Sequence, residues 1–218
     1  MTTEKQNAFM QGFRESKIIA ICRGIAETEI VNVATALYEG GIRFMEVPFD
    51  QSKPETNKDT ARKIALVREA MDGKMHVGAG TTVTEAQLKL AVDAGAEVIV
   101  APNMDEAIIT KTKEAGLISM PGCMTPSEMV RAYQLGADLI KLFPASVTTV
   151  KMIKEVLVPL SNLPLVCFGG VTADNFKEIM ATGVIGVGVA GAVLKKDAIA
   201  AKDYATITAL AKALSVQA

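Results

Sequence analysis

The chain has 218 residues, half of them hydrophobic but only 5% aromatic, so its core must be built from Val, Ile, Leu, Ala and Met. Such a content argues against disorder and suits many short buried strands packed under helices. Its 23 basic and 24 acidic residues leave a formal net charge of −1, which gives no electrostatic footprint for a nucleic acid or an anionic membrane.

In chain order, the polar and mixed segment 1–16 is expected as a short N-terminal helix, with no signal-peptide apolar core in it. K-I-I-A-I-C-R (17–23) then reads as the first strand. Five later segments share one pattern of helix end, small residue plus glycine, and apolar run. They are G-G-I-R-F-M-E-V (40–47), A-G-A-E-V-I-V-A-P (94–102), A-G-L-I-S-M-P-G (115–122), L-G-A-D-L-I-K-L-F-P (135–144) and T-G-V-I-G-V-G-V (182–189). In each, the glycine is expected to end a helix in the left-handed region. These glycines, at 41, 95, 116, 136 and 183, are separated by 54, 21, 20 and 47 residues. The two short gaps each hold one strand and helix; the two long gaps must each hide one more strand. M-H-V-G-A-G (75–80) and L-P-L-V-C-F-G-G (163–170) fill them.

Eight strands are thus expected to start near 18, 42, 75, 97, 117, 138, 164 and 184, each followed by helix-like sequence. Thr84-Glu85-Ala86-Gln87 and Thr125-Pro126-Ser127-Glu128 both fit a capping box at a helix start. Continuous apolar strands alternating with helices imply a parallel sheet covered on its outer face. The expected fold is α/β, a single (β/α)8 TIM barrel over 1–218 with the 1–16 helix packed on it. A doubly wound open sheet is the alternative. Its nucleotide fingerprint occurs only as Gly186-Val187-Gly188-Val189-Ala190-Gly191, at the last strand rather than the first.

Active sites of such barrels lie at the C-terminal ends of the strands. Two groups of opposite charge stand out there: Glu46 on the second strand and Lys141 on the sixth, opposite each other across the mouth. One reading is a structural salt bridge, which is costly to desolvate and often no more stable than an apolar pair. The other is Schiff-base chemistry. A lysine desolvated among apolar strands keeps some neutral amine to attack a ketone, and a carboxylate in reach moves the protons. Phe143, two residues on and facing the same side, would keep water from the imine. Gly169-Gly170 and Ala190-Gly191-Ala192, after the last two strands, are either tight turns or an anion cup of backbone amides.

Other chemistries find less support. Cys22, Cys123 and Cys167 are odd in number, far apart and in apolar surroundings, which reads as reduced core thiols in a cytoplasmic protein. His76 is the single histidine, too few for the usual catalytic divalent-metal site. No uncharged run reaches the ~20 residues of a membrane span.

The motifs G-A-G-T (78–81), K-L-F-P-A (141–145), P-G with T-P-S-E (121–128) and F-G-G-V (168–171) resemble the 2-keto-3-deoxy-6-phosphogluconate (KDPG) / 4-hydroxy-2-oxoglutarate (KHG) aldolases, from about residue 8 to 213. The resemblance implies a class I lyase without cofactor or metal, working through a covalent lysine imine. It implies a small keto-acid, possibly phosphorylated, as substrate, with pyruvate and an aldehyde as products, and a homotrimer of barrels. By matching position, Lys141 would form the Schiff base and Glu46 would be the general acid/base. Thr81 would hold the pyruvyl carboxylate, Pro102 and Phe143 would line the pocket, and Gly169, Gly170 and Gly191 would help bind phosphate. The chain departs from the pattern twice. E-V-P-F-D stands where the family has E-V-T-L-R, putting Asp50 in place of an arginine, and Ala192 stands where a serine is frequent. Arg23, at the end of the first strand, is the residue able to supply the missing charge. The expected reaction is cleavage of KDPG to pyruvate and glyceraldehyde 3-phosphate, of KHG to pyruvate and glyoxylate, or both. An aldolase of the same mechanism for a different 2-keto-3-deoxy acid, a phosphosugar isomerase or epimerase on the same barrel, and a barrel that only binds a small acid are the competing functions.

Overall fold

The computed structural model describes residues 4–218 of the chain. Nine parallel strands form one sheet: β1 (Ile18–Ile21), β2 (Phe44–Pro48), β3 (His76–Gly80), β4 (Val98–Val100), β5 (Ile118–Met120), β6 (Gly122–Cys123), β7 (Ile140–Leu142), β8 (Leu165–Phe168) and β9 (Gly186–Val189). Their order is β5-β4-β3-β2-β1-β9-β8-β7-β6, with β1 paired to both β2 and β9. The observed starts fall within two residues of the eight expected. The ninth strand arises because Pro121, which has no N–H to give the ladder, divides the fifth strand into β5 and β6. β5 pairs with β4 and β6 with β7, so one stretch of chain joins both ends of the sheet into a nearly closed barrel. The Lys141 amide donates to the Pro121 carbonyl at 2.9 Å, carrying the ladder across the break.

The open-sheet alternative fails on this pairing. Its fingerprint glycines instead serve packing: a Cβ on Gly188 would stand 2.4 Å from the Phe168 ring, and one on Gly186 would stand 2.7 Å from the Lys17 carbonyl.

Ten helices lie among the described residues, beginning with α1 (Glu4–Ser16), α2 (Glu27–Glu39), α3 (Asn57–Ala70), α4 (Glu85–Asp93), α5 (Glu106–Glu114) and α6 (Pro126–Gln134). α7 (Val150–Leu157), α8 (Phe176–Met180), α9 (Lys196–Ala200) and α10 (Tyr204–Ser215) complete them. The five repeat glycines do sit at positive φ, from 74° at Gly116 to 100° at Gly183. The Thr125 capping box forms in full, with Glu128 reaching back to the Thr125 amide at 2.8 Å. The Thr84 box forms only in half. Thr84 accepts from the Gln87 amide, but the Gln87 carboxamide accepts from Val83 and turns toward Gln51 and Asn57.

Strand residues alternate between two cores. Outward ones such as Met45, Ile140 and Leu142 pack under the helices, while Ile19, Phe44, Val98, Leu139 and Val166 fill the barrel. α1 closes the N-terminal end: the Phe9 and Phe13 rings meet Phe44 edge-on at 5.0 and 5.2 Å, and His76 stacks on its other side at 4.7 Å. Phe13 is fully buried, so we expect Phe13→Ala to cost about 3–5 kcal/mol in urea unfolding at an unchanged m-value. A loss below about 1 kcal/mol would mean that α1 is not part of the barrel's cooperative unit.

Candidate active site

The site forms where inward-facing positions reach the C-terminal mouth. Leu139, Lys141 and Phe143 share a face by strand parity, as do Phe44 and Glu46. Lys141 is 7% exposed and Glu46 2%. Glycines make room for both. The Glu46 carboxyl lies over Gly80, where a Cβ would come within 1.7 Å of Oε2. Gly122 is the register partner of Lys141, and a Cβ there would strike the Pro102 carbonyl at 2.3 Å, so Pro102 packs against β6, the strand paired with that of the lysine.

Among the described residues, no direct ion pair or hydrogen bond ties Glu46 to Lys141, and the buried Glu46 Oε2 has no hydrogen-bond partner. The alternative reading of a structural salt bridge therefore does not hold. They act on each other through space. Burial pushes the Lys141 ammonium down to about 8, opposed by the Glu46 charge and reinforced by Arg23. Burial pushes the Glu46 carboxyl up to about 7, opposed by Lys141 and Arg23. The Lys141 Nζ lies between two rings, 4.5 Å from the Phe143 centroid and 4.7 Å from that of Phe168. Phe143, at 36% exposure, stands between the amine and solvent.

Arg23 gathers the remaining groups. Its Nη2 donates to Thr81 Oγ1 at 2.9 Å, and its charge reaches Glu46, Lys141 and Asp50. Thr81 holds a left-handed backbone, φ 54°, and its carbonyl accepts from Gln51 Nε2 at 2.9 Å. Asp50 is exposed at the rim, and its carboxylate turns back to accept from the Ser52 amide and hydroxyl at 3.0 and 2.7 Å, which lowers its pKa. Much of its charge is therefore spent on its own turn rather than aimed into the barrel.

Gly169 and Gly170 have φ of 97° and 74°, bringing the turn after β8 against Pro144, Ala145 and Ser146 just beyond Lys141. Asn175 braces this turn through the Gly170 carbonyl and the Thr172 amide, each at 2.8 Å. Gly191 is exposed at the end of β9, whereas Ala192 packs its methyl on the outer core.

The structure thus brings the Lys141 ammonium against Phe143 and within electrostatic reach of Glu46 and Arg23, with Arg23 bonded to Thr81 and Pro102 against the paired Gly122. Phe168 and Gln51 were not singled out from sequence. Phe168 could have been found by its place at a strand end; Gln51 carries no local signal. Cys22, Cys123 and Cys167 are all buried and free. Among the described residues no three His, Cys, Asp or Glu side chains gather as a metal site, and no helix is long and apolar enough to cross a membrane.

A family model described as KDPG and KHG aldolase matches residues 10–210. A Rhizobium meliloti (strain 1021) protein named "Probable 2-dehydro-3-deoxy-6-phosphogalactonate aldolase" is 34% identical over 190 residues, 87% of this chain and 86% of that protein. The KHG/KDPG aldolase of Escherichia coli (strain K12) is 32% identical over 185 residues, 84% of this chain and 83% of its own length. A solved structure described as "Native KDPGal structure" superposes with a TM-score of 0.82 at 26% identity, covering 92% of this chain and 93% of that one. With a family model spanning nearly the whole barrel and relatives aligned over most of both chains, the protein belongs to the KDPG and KHG aldolase family and is a carbon–carbon lyase.

Proposed function

We propose that the protein is a class I aldolase that cleaves a 2-keto-3-deoxy-6-phospho sugar acid, of the gluconate or galactonate series, to pyruvate and glyceraldehyde 3-phosphate. The observation that carries this reading is a lysine buried between two aromatic rings and coupled through space, with no direct bond, to a buried and unpartnered carboxyl. Burial lowers the lysine pKa to about 8 and raises the carboxyl pKa to about 7. Such a pair is poised for proton transfer rather than locked as a bridge. The names of the relatives from Rhizobium meliloti and Escherichia coli support the substrate class.

In this mechanism the neutral Lys141 amine adds to the C2 ketone, and loss of water from the carbinolamine leaves an iminium. Glu46, as carboxylate, accepts the C4 hydroxyl proton. The C3–C4 bond then breaks toward the iminium, giving an enamine and releasing the aldehyde. Glu46 returns a proton to C3, and water hydrolyses the iminium to pyruvate and free lysine. Thr81, with Arg23 on its hydroxyl, holds the pyruvyl carboxylate, and the Phe143 and Phe168 rings exclude bulk water from the imine. The turns at Gly169, Gly170 and Gly191 lie toward the phosphate end. The protein works as a homotrimer in the cytoplasm; light scattering is expected to return three times the chain mass, and a monomer would sink the assembly.

Borohydride with pyruvate should modify Lys141, as read by peptide mass. Because the attacking form is the free amine, about one-tenth of the lysine is competent at pH 7, and the trapping rate should rise through pH 8 and then level off. Trapping at another lysine, or none, would overturn the mechanism.

A second experiment separates chemistry from architecture. The Glu46 pKa is raised on folding, so its cost to stability appears as pH rises from about 4.5 to 7. The Lys141 pKa is lowered, so its cost is absent above about 10.5 and complete below about 8. Both costs coincide near pH 7–8. There we expect Glu46→Gln/Lys141→Met to unfold about 1–4 kcal/mol later than the parent while losing all lyase activity. A destabilised double variant would make the pair structural.

A further inference from the structure

We propose that Gln51 is a positioning residue for the substrate carboxylate, holding the Thr81 hydroxyl in place through the Thr81 carbonyl. This inference rests on the aldolase reading above and deepens it, because it concerns the carboxylate end of that same site. Gln51 belongs to no motif of the sequence, and it acts on the substrate only through Thr81.

Thr81 needs holding. It opens the turn after β3 with φ 54°, where the branched side chain of a threonine crowds its own backbone. An extended conformation is the cheaper one for such a residue, so the observed one persists only if neighbours impose it. Two do. From the end of β1, Arg23 Nη2 donates to the Thr81 hydroxyl at 2.9 Å; from beyond β2, Gln51 Nε2 donates to the Thr81 carbonyl, also at 2.9 Å. The backbone does not supply this second donor. The Phe49 amide makes the last backbone bond of the β2–β3 ladder, 2.8 Å to the Gly80 carbonyl, and Asp50 then turns the chain by accepting from the Ser52 amide. The Gln51 side chain extends the ladder by one bond, to the next carbonyl. Without it, rotation of Thr81 toward the extended region would swing carbonyl and hydroxyl together, and the hydroxyl would leave Arg23.

The polarity of this contact is fixed from both ends. The Val83 amide, which can only donate, stands 3.0 Å from the Gln87 carboxamide, so the Gln87 oxygen must face it. Gln87 is buried at 2% exposure, and its nitrogen is left to Gln51 Oε1 at 3.3 Å and Asn57 Oδ1 at 3.4 Å. With its oxygen engaged there, Gln51 presents its nitrogen to the Thr81 carbonyl, which can only accept. A side chain of the same length without an N–H cannot stand in. Gln51 is itself exposed, so the bond contributes little to folding and its consequence is local.

The test traps ketones on Lys141 with cyanoborohydride in the parent, Gln51→Met, Thr81→Val and the double variant. Pyruvate and acetone form the same kind of imine, and only pyruvate carries a carboxylate. In Gln51→Met the trapping rate per unit pyruvate should fall about 3- to 30-fold, through a higher half-saturating concentration rather than a lower maximal rate. Acetone should be trapped as fast as by the parent, and the melting temperature should stay within about 2 °C. Adding Gln51→Met to Thr81→Val should cost nothing further, because the hydroxyl that Gln51 positions is gone. An equal loss on both ketones, an unchanged pyruvate rate, or a full additional loss in the double variant overturns the proposal. If the parent traps no pyruvate, the aldolase reading has failed. The carboxylate end is then read by the melting shift that pyruvate gives the parent. Loss of that shift in Gln51→Met supports the proposal; its persistence there, or its absence from the parent, refutes it.

Discussion

Keeping a lysine and a carboxyl out of water at the same depth of one barrel is the constraint around which the rest of this structure is arranged. Neither group gains a direct partner in return: Glu46 Oε2 is buried and unpaired, and Lys141 Nζ has two aromatic faces. A fold tolerates such groups only where the surrounding structure over-determines them. Here that is done by a sheet with almost no edge, closed through the divided strand at Pro121. If the sheet opened there, water would reach Lys141 directly, since Lys141 hydrogen-bonds across the division. Its pKa would then return toward the ordinary value for a lysine.

Space for the two side chains is supplied by glycines that strand propensity disfavours. Gly80 lies under the Glu46 carboxyl, and Gly122 lets Pro102 approach β6, the strand paired with that of Lys141. Each weakens its strand locally, and the long ladder through neighbouring strands compensates. The opposite end of the barrel shows the contrasting solution. There α1 seals the interior with Phe9 and Phe13 against Phe44, and His76 is turned to Glu97. Stability is thus concentrated at the N-terminal end and chemistry at the C-terminal end.

The sequence was most legible where one residue type can meet a requirement. Five helices end on a glycine at positive φ because other residues are strained there, and the spacing of those glycines exposed the barrel repeat. Lys141 and Glu46 could be found because strand parity and strand order are long-range rules that need only approximate boundaries. The divided fifth strand was hidden because a single proline inside an apolar run can end a strand or merely interrupt it. Gln87 misled for a related reason. The spacing of a capping box is present, but its carboxamide has stronger calls on it from Val83, Gln51 and Asn57. Part of this competition comes from Gln51 and Asn57, 36 and 30 positions away, and no local pattern reports it.

Asp50 and Ala192 look from sequence like two losses from a substrate-binding set, and the structure gives them different weights. The Asp50 carboxylate is satisfied by Ser52 at the exposed rim, so its repulsion of an anion is screened by solvent and by its own hydrogen bonds. Ala192 removes a neutral hydroxyl, but the same turn places an ammonium on the Gly191 carbonyl only a few atoms away. Exchanging a hydroxyl for a charge changes which anions are favoured, since a point charge discriminates by charge more than by geometry. Arg23 ties the rim to the interior, because its guanidinium donates to Thr81 and its charge bears on both Lys141 and Glu46. An anion bound beside Arg23 would offset part of the positive field that holds Lys141 down and opposes the rise of Glu46. The charge of a substrate beside Arg23 is then felt electrostatically at the reacting carbons, with no movement of the barrel required.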